Sequence, residues 1–311
     1  MEIKNAFFFS LVFAVLNFGC GKNIGDKNND KIIAASFYPM YIAALNITED
    51  IPGIRLVNMA APASGCLHDY QLTTADAALL EKASLLIVNG SGMESFLDKA
   101  VSLNKKLMLI DASEEIEFIS RCDHNHDHNH RSHDNHNNDN DANINTHVWL
   151  SIENYMQQVK TIAAHLCAWD SVNADGYTRN SQNFIAELEE LKEKAMRELS
   201  DLPNKKIAIF HDGFVYFARE FGLTVSAVIE REPGAEPSAA EVISIIRTIK
   251  NSGAKALFVE PHYNSTSVKT ISAETGLPVF TLDPVLSGPL NKNSYIAAIE
   301  KNIEILKEAL Q

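Results

Sequence analysis

NADGYTRNSQNFIAELEELKEKAMRELS, residues 173–200, is the longest unbroken helical pattern in the chain. Phe184, Leu188, Leu191, Ala195 and Leu199 recur at spacings of four and three, which lines one helix face with apolar groups. Glu190 and Lys194 add an i,i+4 charge pair, and Pro203 ends the run. At 1.5 Å per residue such a helix would reach about 40 Å. Residues 172–201 are expected to form a linker helix, because short apolar runs alternate with helical patterns on both sides of it.

On the N-terminal side, strands are expected at residues 31–37 (KIIAASF), 55–58, 85–89 (LLIVN) and 106–111 (KLMLID). Helices are expected at 39–48, from a cap at Thr74 to about Lys82, at 93–102 and at 151–168. On the C-terminal side the strands are 206–210 (KIAIF, ending at His211), 223–229, 256–260 (ALFVE) and 279–282. The helices there are 214–221, 239–251 behind a Ser238–Glu241 capping box, 265–275 and 293–310. This alternation predicts an α/β chain of βαβ units with parallel sheets and about four strands in each lobe. The N-terminal lobe spans 31–171 and the C-terminal lobe 202–311.

The chain has 311 residues, 46% apolar and 22% charged, with net charge −13. That is long enough for two domains with real cores. An acidic surface without a basic run argues against nucleic acid or anionic lipid surfaces as partners, and suits a cation ligand. Residues 1–20 read as a signal peptide: Lys4, the apolar run from Ala6 to Phe18, then Gly19-Cys20 and a polar stretch. The run is too short for a comfortable transmembrane helix. A small residue before cysteine resembles a bacterial lipoprotein cleavage site, although Asn17 stands where Leu is usual. Cys20 is thus the expected lipidated residue, with 21–30 as tether. Cys66, Cys122 and Cys167 remain, which permits one disulfide of undecided pairing.

CDHNHDHNHRSHDNHNNDND, residues 122–141, carries six of the chain's eleven histidines: His124, His126, His128, His130, His133 and His136. It has almost no apolar side chains with which to repay its ordering entropy, so 122–145 reads as a disordered loop. Its imidazoles suggest a metal-collecting segment. A plain solvated insertion and a pH-sensing cluster are the competing readings.

Ligands of open α/β sheets bind beyond the carboxyl ends of the strands. Four candidate metal ligands pass that filter: His68 after strand two, His147 past the His-rich insertion, His211 closing the first strand of the second lobe and Asp283 closing its last. Two lie in each lobe, so a cleft between lobes would gather them. Singly, each is more often a structural or turn residue. Together, three imidazoles with a carboxylate or water suit four-coordinate zinc, though copper or iron would accept the same donors. Glu260 and His262 lie at another strand end and would line the cleft or hold a ligating ring from behind. His165, inside a helix, reads as structural. Cys66 beside His68 would be a thiolate ligand, a disulfide partner or an inert thiol. No H-E-x-x-H, G-x-S-x-G, P-loop or C-x-x-C motif is present, and Gly90-Ser91-Gly92 completes no dinucleotide fingerprint. No catalytic residues are expected.

HDYQLTTAD at His68, NGSGMESFLDK at Gly90, THVWL at His147, HDGFVYFAREFGL at His211, EREPGAEPSAAEV at Glu230, FVEPHYNS at Glu260 and LDPVL at Asp283 follow one another in an order that resembles a known family. They resemble the zinc- and manganese-binding solute-binding proteins of ABC importers, and cover nearly all of residues 31–311. The resemblance implies two (β/α)4 lobes joined by one long rigid helix, with the metal in the inter-lobe cleft. It implies His68, His147 and His211 as ligands and Asp283 as the fourth, a position some zinc members give to water. His at 211 and a His-rich loop favour zinc over manganese. The expected function is capture of Zn2+ in the bacterial envelope, on the periplasmic or extracellular side. A lipid-anchored monomer would deliver it to a membrane permease without catalysis. Manganese or iron delivery, a metal-dependent adhesin and a zinc-dependent hydrolase are the alternatives.

Overall fold

The computed structural model describes residues 30–60, 67, 70–120, 144–230, 237–261 and 266–311. Its strands form two parallel four-stranded sheets. The first holds β1 (Lys31–Ala35), β2 (Ile54–Asn58), β3 (Leu85–Val88) and β4 (Met108–Asp111) in the order β2-β1-β3-β4. The second holds β5 (Lys206–His211), β6 (Thr224–Glu230), β7 (Leu257–Val259) and β8 (Val279–Thr281) in the order β6-β5-β7-β8. The repeat in the sequence is therefore a repeat in topology. In each sheet the chain steps outward to its second strand and then crosses back over the first. That reversal opens a crevice at the carboxyl ends of β1 and β3, and likewise of β5 and β7.

The apolar strand runs are explained by burial on both faces. Ile33, Leu85, Ile87 and Ile110 face one core, while Ala34, Leu86 and Val88 face another beneath α2 (Thr74–Lys82) and α3 (Asp98–Leu103). In the second sheet Ile207 and Ile209 take the first core, and Ala208 and Phe210 pack under α7 (Ala239–Ser252) and α8 (Thr266–Thr275). The first core is common to both halves: one continuous apolar cluster joins Ile33, Leu188 and Phe258.

The long helix α5 (Ala174–Ser200) lies within that shared core. It packs on α1 (Tyr38–Ile47) and α4 (Ile152–Trp169) from the first half and on α9 (Ser294–Leu310) from the second. All five residues of the apolar stripe are buried. Phe184, Leu188, Leu191 and Leu199 each contribute about 1.5–3 kcal/mol by leaving water. Lys194 does not turn to Glu190. Its Nζ reaches Glu300 Oε1 on α9 at 2.7 Å, so the charge ties two helices rather than one helix turn.

Polar contacts reinforce the join between halves. The rings of Tyr155 and Tyr295 stack with centroids 3.8 Å apart. Tyr295 donates to the Trp149 carbonyl (2.7 Å), and the Trp149 indole donates to the Pro284 carbonyl (2.9 Å). The first amides of α4 donate to the Glu220 carboxylate, from Ile152 at 2.8 Å and Glu153 at 3.1 Å. A carboxylate from α6 (Val215–Glu220) thus satisfies donors that a helix start leaves open.

Two local expectations change. Thr73, not Thr74, caps α2: its hydroxyl accepts from Asp76 N and the Asp76 carboxylate accepts from Thr73 N. The box needs its acid at the third helical position, and Asp76 occupies that place only when counted from Thr73. The 93–102 helix is shorter and starts later, as a 3₁₀ turn at Ser95–Leu97 leading into α3. Before it, Gly90, Ser91 and Gly92 all have positive φ. A Cβ at Gly90 would sit 1.9 Å from Asp111 Oδ1, which explains the glycine without any nucleotide.

Candidate metal centre

His211 ends β5 with the strand parity of Ile207 and Ile209, so its side chain projects toward the other half of the molecule. His147 follows the His-rich insertion and opens a 3₁₀ turn, Val148–Leu150, that leads into α4. Both are buried, at 2% exposure each. Their ring centroids are 4.8 Å apart at an interplanar angle of 80°. Residues 64 positions apart in sequence, one from each half, are thereby in contact.

Asp212 joins them. His147, His211 and Asp212 can each offer one donor atom so that all three lie within 4.8 Å of one another. Asp212 Oδ1 is 3.4 Å from His211 Nε2 and 3.9 Å from His147 Nδ1. The first separation matches the roughly 3.3 Å edge of a tetrahedron whose metal–ligand bonds are about 2.0–2.1 Å. The donor set, two imidazoles and a carboxylate, suits a divalent transition metal.

Surrounding groups orient the rings. Asn145 Oδ1 lies 3.0 Å from both the backbone N and the ring Nδ1 of His147. Glu260, just beyond β7 and 7% exposed, places Oε1 3.4 Å from His211 Nδ1. Gly213 N lies 3.2 Å from the same nitrogen, which either accepts that N–H or, when it carries the ring proton, donates toward Glu260 and leaves the Nε2 lone pair for a metal. A Cβ on Gly213 would lie 3.4–3.5 Å from Glu260, His211 and His147, an ordinary contact distance, so Gly213 sits where the three groups converge.

Asp283 stands two residues past β8 and outside this three-residue group. Its carboxylate accepts from Val285 N at 2.7 Å, and its backbone is held by Asn302 at 2.8 Å on both N and O. Burial raises its pKa, and the nearby charge of Glu260 raises it further. Glu260 and Asp283 therefore share a neighbourhood on the second half. His165 bonds Glu114 Oε1 at 2.7 Å on the surface of α4. Cys167 donates its thiol to the Ala174 carbonyl at 3.4 Å. His68, His262, Cys20, Cys66, Cys122 and His124, His126, His128, His130, His133 and His136 lie outside the described residues.

Sequence reasoning missed Asp212 and Asn145. Asp212 follows a strand-end histidine, but nothing local in the sequence shows that the chain turns there and carries the carboxylate to the two rings. Asn145 had no signal of its own, because its contacts are to residues far along the chain.

Comparison with known proteins agrees with this architecture. The family model for zinc-uptake complex component A periplasmic (ZnuA) matches residues 33–309. The high-affinity zinc uptake system protein ZnuA of Bacillus subtilis is 30% identical over 307 residues, covering 93% of this chain and 91% of that one. The manganese ABC transporter substrate-binding lipoprotein PsaA of Streptococcus pneumoniae is 24% identical over 318 residues, covering 98% and 97%. The solute-binding protein FpvC of Pseudomonas aeruginosa, solved with Mn2+, superposes with TM-score 0.77 at 26% identity, covering 91% of this chain and 98% of that one. Two parallel four-stranded sheets, a long helix packed on both halves and a match spanning nearly the whole chain lead to one conclusion: the chain belongs to the ZnuA family of metal ABC transporter solute-binding proteins, and is not an enzyme.

Proposed function

We propose that the cargo is zinc, held between the two halves of the molecule by His68, His147 and His211 as nitrogen donors and one carboxylate. The observation that carries this reading is the buried His147–His211–Asp212 group. Nitrogen donors from imidazole favour zinc over the oxygen-rich sets that manganese prefers. Two carboxylates compete for the fourth position: Asp212, which is already beside both rings, and Asp283, which the family resemblance favours. Residues 31–171 and 202–311 act as the two lobes and 172–201 as their linker. The shared core disfavours a wide hinge, so release to the permease requires local movement at the strand-end loops. Lipidation at Cys20 would hold the protein, as a monomer, on the outer face of the bacterial membrane. Among the described residues no helix is long and apolar enough to cross a membrane. The His-rich stretch, residues 122–141, serves as an accessory collector: its many closely spaced imidazoles take up several ions weakly and pass them on.

The test is competition titration with a zinc chelator, using protein lacking residues 123–141. One tight equivalent should remain after that deletion and vanish when His68, His147 and His211 are all changed to Ala. Unchanged affinity in the triple variant refutes the site. Asp212→Asn and Asp283→Asn, titrated in parallel, identify the carboxylate. Manganese outcompeting zinc would move the protein to the manganese branch, where the carboxylates Asp212, Glu260 and Asp283 would be the relevant donors.

A further inference from the structure

Asn145 is 2% exposed and stands two residues before His147. Its side-chain oxygen meets two groups of His147, the backbone N–H and ring Nδ1, each at 3.0 Å. Its side-chain NH2 donates to the Asp212 carbonyl at 2.8 Å. Its own carbonyl accepts the Tyr216 hydroxyl at 2.7 Å. One residue therefore grips both segments that carry candidate ligands, one from each half of the chain. The amide has only one workable orientation, because a flip would set NH2 against the His147 N–H and oxygen against the Asp212 carbonyl. An acceptor at Nδ1 requires the ring proton there. The lone pair then belongs to Nε2.

We propose that Asn145 is a positioning residue that selects Nε2 as the metal-binding nitrogen of His147 and fixes that ring against the His211–Asp212 turn before the ion arrives. The proposal rests on His147 being a ligand, as stated above. Asn145→Leu keeps the shape and removes all three side-chain polar contacts. The tautomer is read from imidazole 15N shifts of metal-free protein at a pH where the ring is neutral, and affinity from chelator competition.

Wild-type His147 should carry its proton on Nδ1. Asn145→Leu should shift the ring toward the Nε2–H form and weaken zinc binding about 10–100-fold, the usual cost of removing a group that orients a ligand. Tyr216→Phe, which removes one bond to the Asn145 backbone and leaves the side chain alone, should stay within about threefold by the same reasoning. The proposal fails if the wild-type ring is protonated on Nε2, a result readable even if Asn145→Leu does not fold. It also fails if Asn145→Leu binds as wild type, loses affinity with the tautomer unchanged, or is matched by Tyr216→Phe. His147→Ala separates the two levels. If it binds zinc normally, the function reading fails; if it loses zinc while Asn145→Leu does not, only the positioning role fails.

Discussion

Glu94→Gln should change how the fold responds to pH. The Glu94 carboxylate is buried beside the end of β3 and accepts from Ser36 Oγ (2.7 Å), Asn89 N (2.7 Å) and Gly90 N (3.1 Å). Asn89 in turn donates to the Thr146 carbonyl at 3.0 Å, next to His147. Burial pushes the Glu94 pKa up to about 7 from 4.5; the three hydrogen bonds pull it down and Asp111 adds to the rise. The folded state thus holds this proton more tightly than the unfolded chain does. The stabilisation is complete below about pH 4.5 and is lost as pH rises through about 7. A difference of that size is worth about 3 kcal/mol as an upper bound, at about 1.4 kcal/mol per pH unit. Gln cannot titrate, and its NH2 faces the Gly90 N–H, which costs about 1–3 kcal/mol. The variant should be less stable than wild type at pH 5, with the gap closing or reversing by pH 8. Urea unfolding of chelator-treated protein at several pH values measures this. A gap that stays constant to within about 0.5 kcal/mol refutes the reasoning about Glu94.

Leu188→Ala should cost about 2–5 kcal/mol, because Leu188 is fully buried in the shared core. Denaturant unfolding checks it, and a loss under about 1 kcal/mol would mean that α5 is peripheral. Zinc affinity should fall steeply below about pH 6.5, where protons compete for imidazole nitrogens. Isothermal titration giving the same affinity at pH 7.5 and pH 5 would count against imidazole ligands.

The α5 stripe and the repeat of strands around it were legible because both are local periodicities. The two-sheet parallel architecture follows from them. His147 and His211 were singled out for a different reason: His211 closes a strand, where ligands collect, and His147 follows the His-rich insertion after β4; the fold brings the two rings into contact. What the sequence hides is long-range. No local pattern marks the Tyr155–Tyr295 stack, the Glu220 carboxylate capping α4 or the core shared by both halves. Lys194 illustrates the limit, since helix spacing pointed to Glu190 and packing placed Glu300 within reach. Asp212 was hidden because the chain leaves β5 through a tight 3₁₀ turn, which brings its carboxylate to the two rings. Asp283 shows the converse: its carboxylate caps its own turn at Val285 N, a contact typical of an Asp-Pro corner.

Diffraction from crystals of the zinc-loaded protein, recorded on both sides of the zinc absorption edge, tests the central claim most directly. A single strong anomalous peak within about 2.0–2.2 Å of a nitrogen of His147 and a nitrogen of His211 is the predicted result. A strong peak elsewhere, with those two rings uncoordinated, would contradict it.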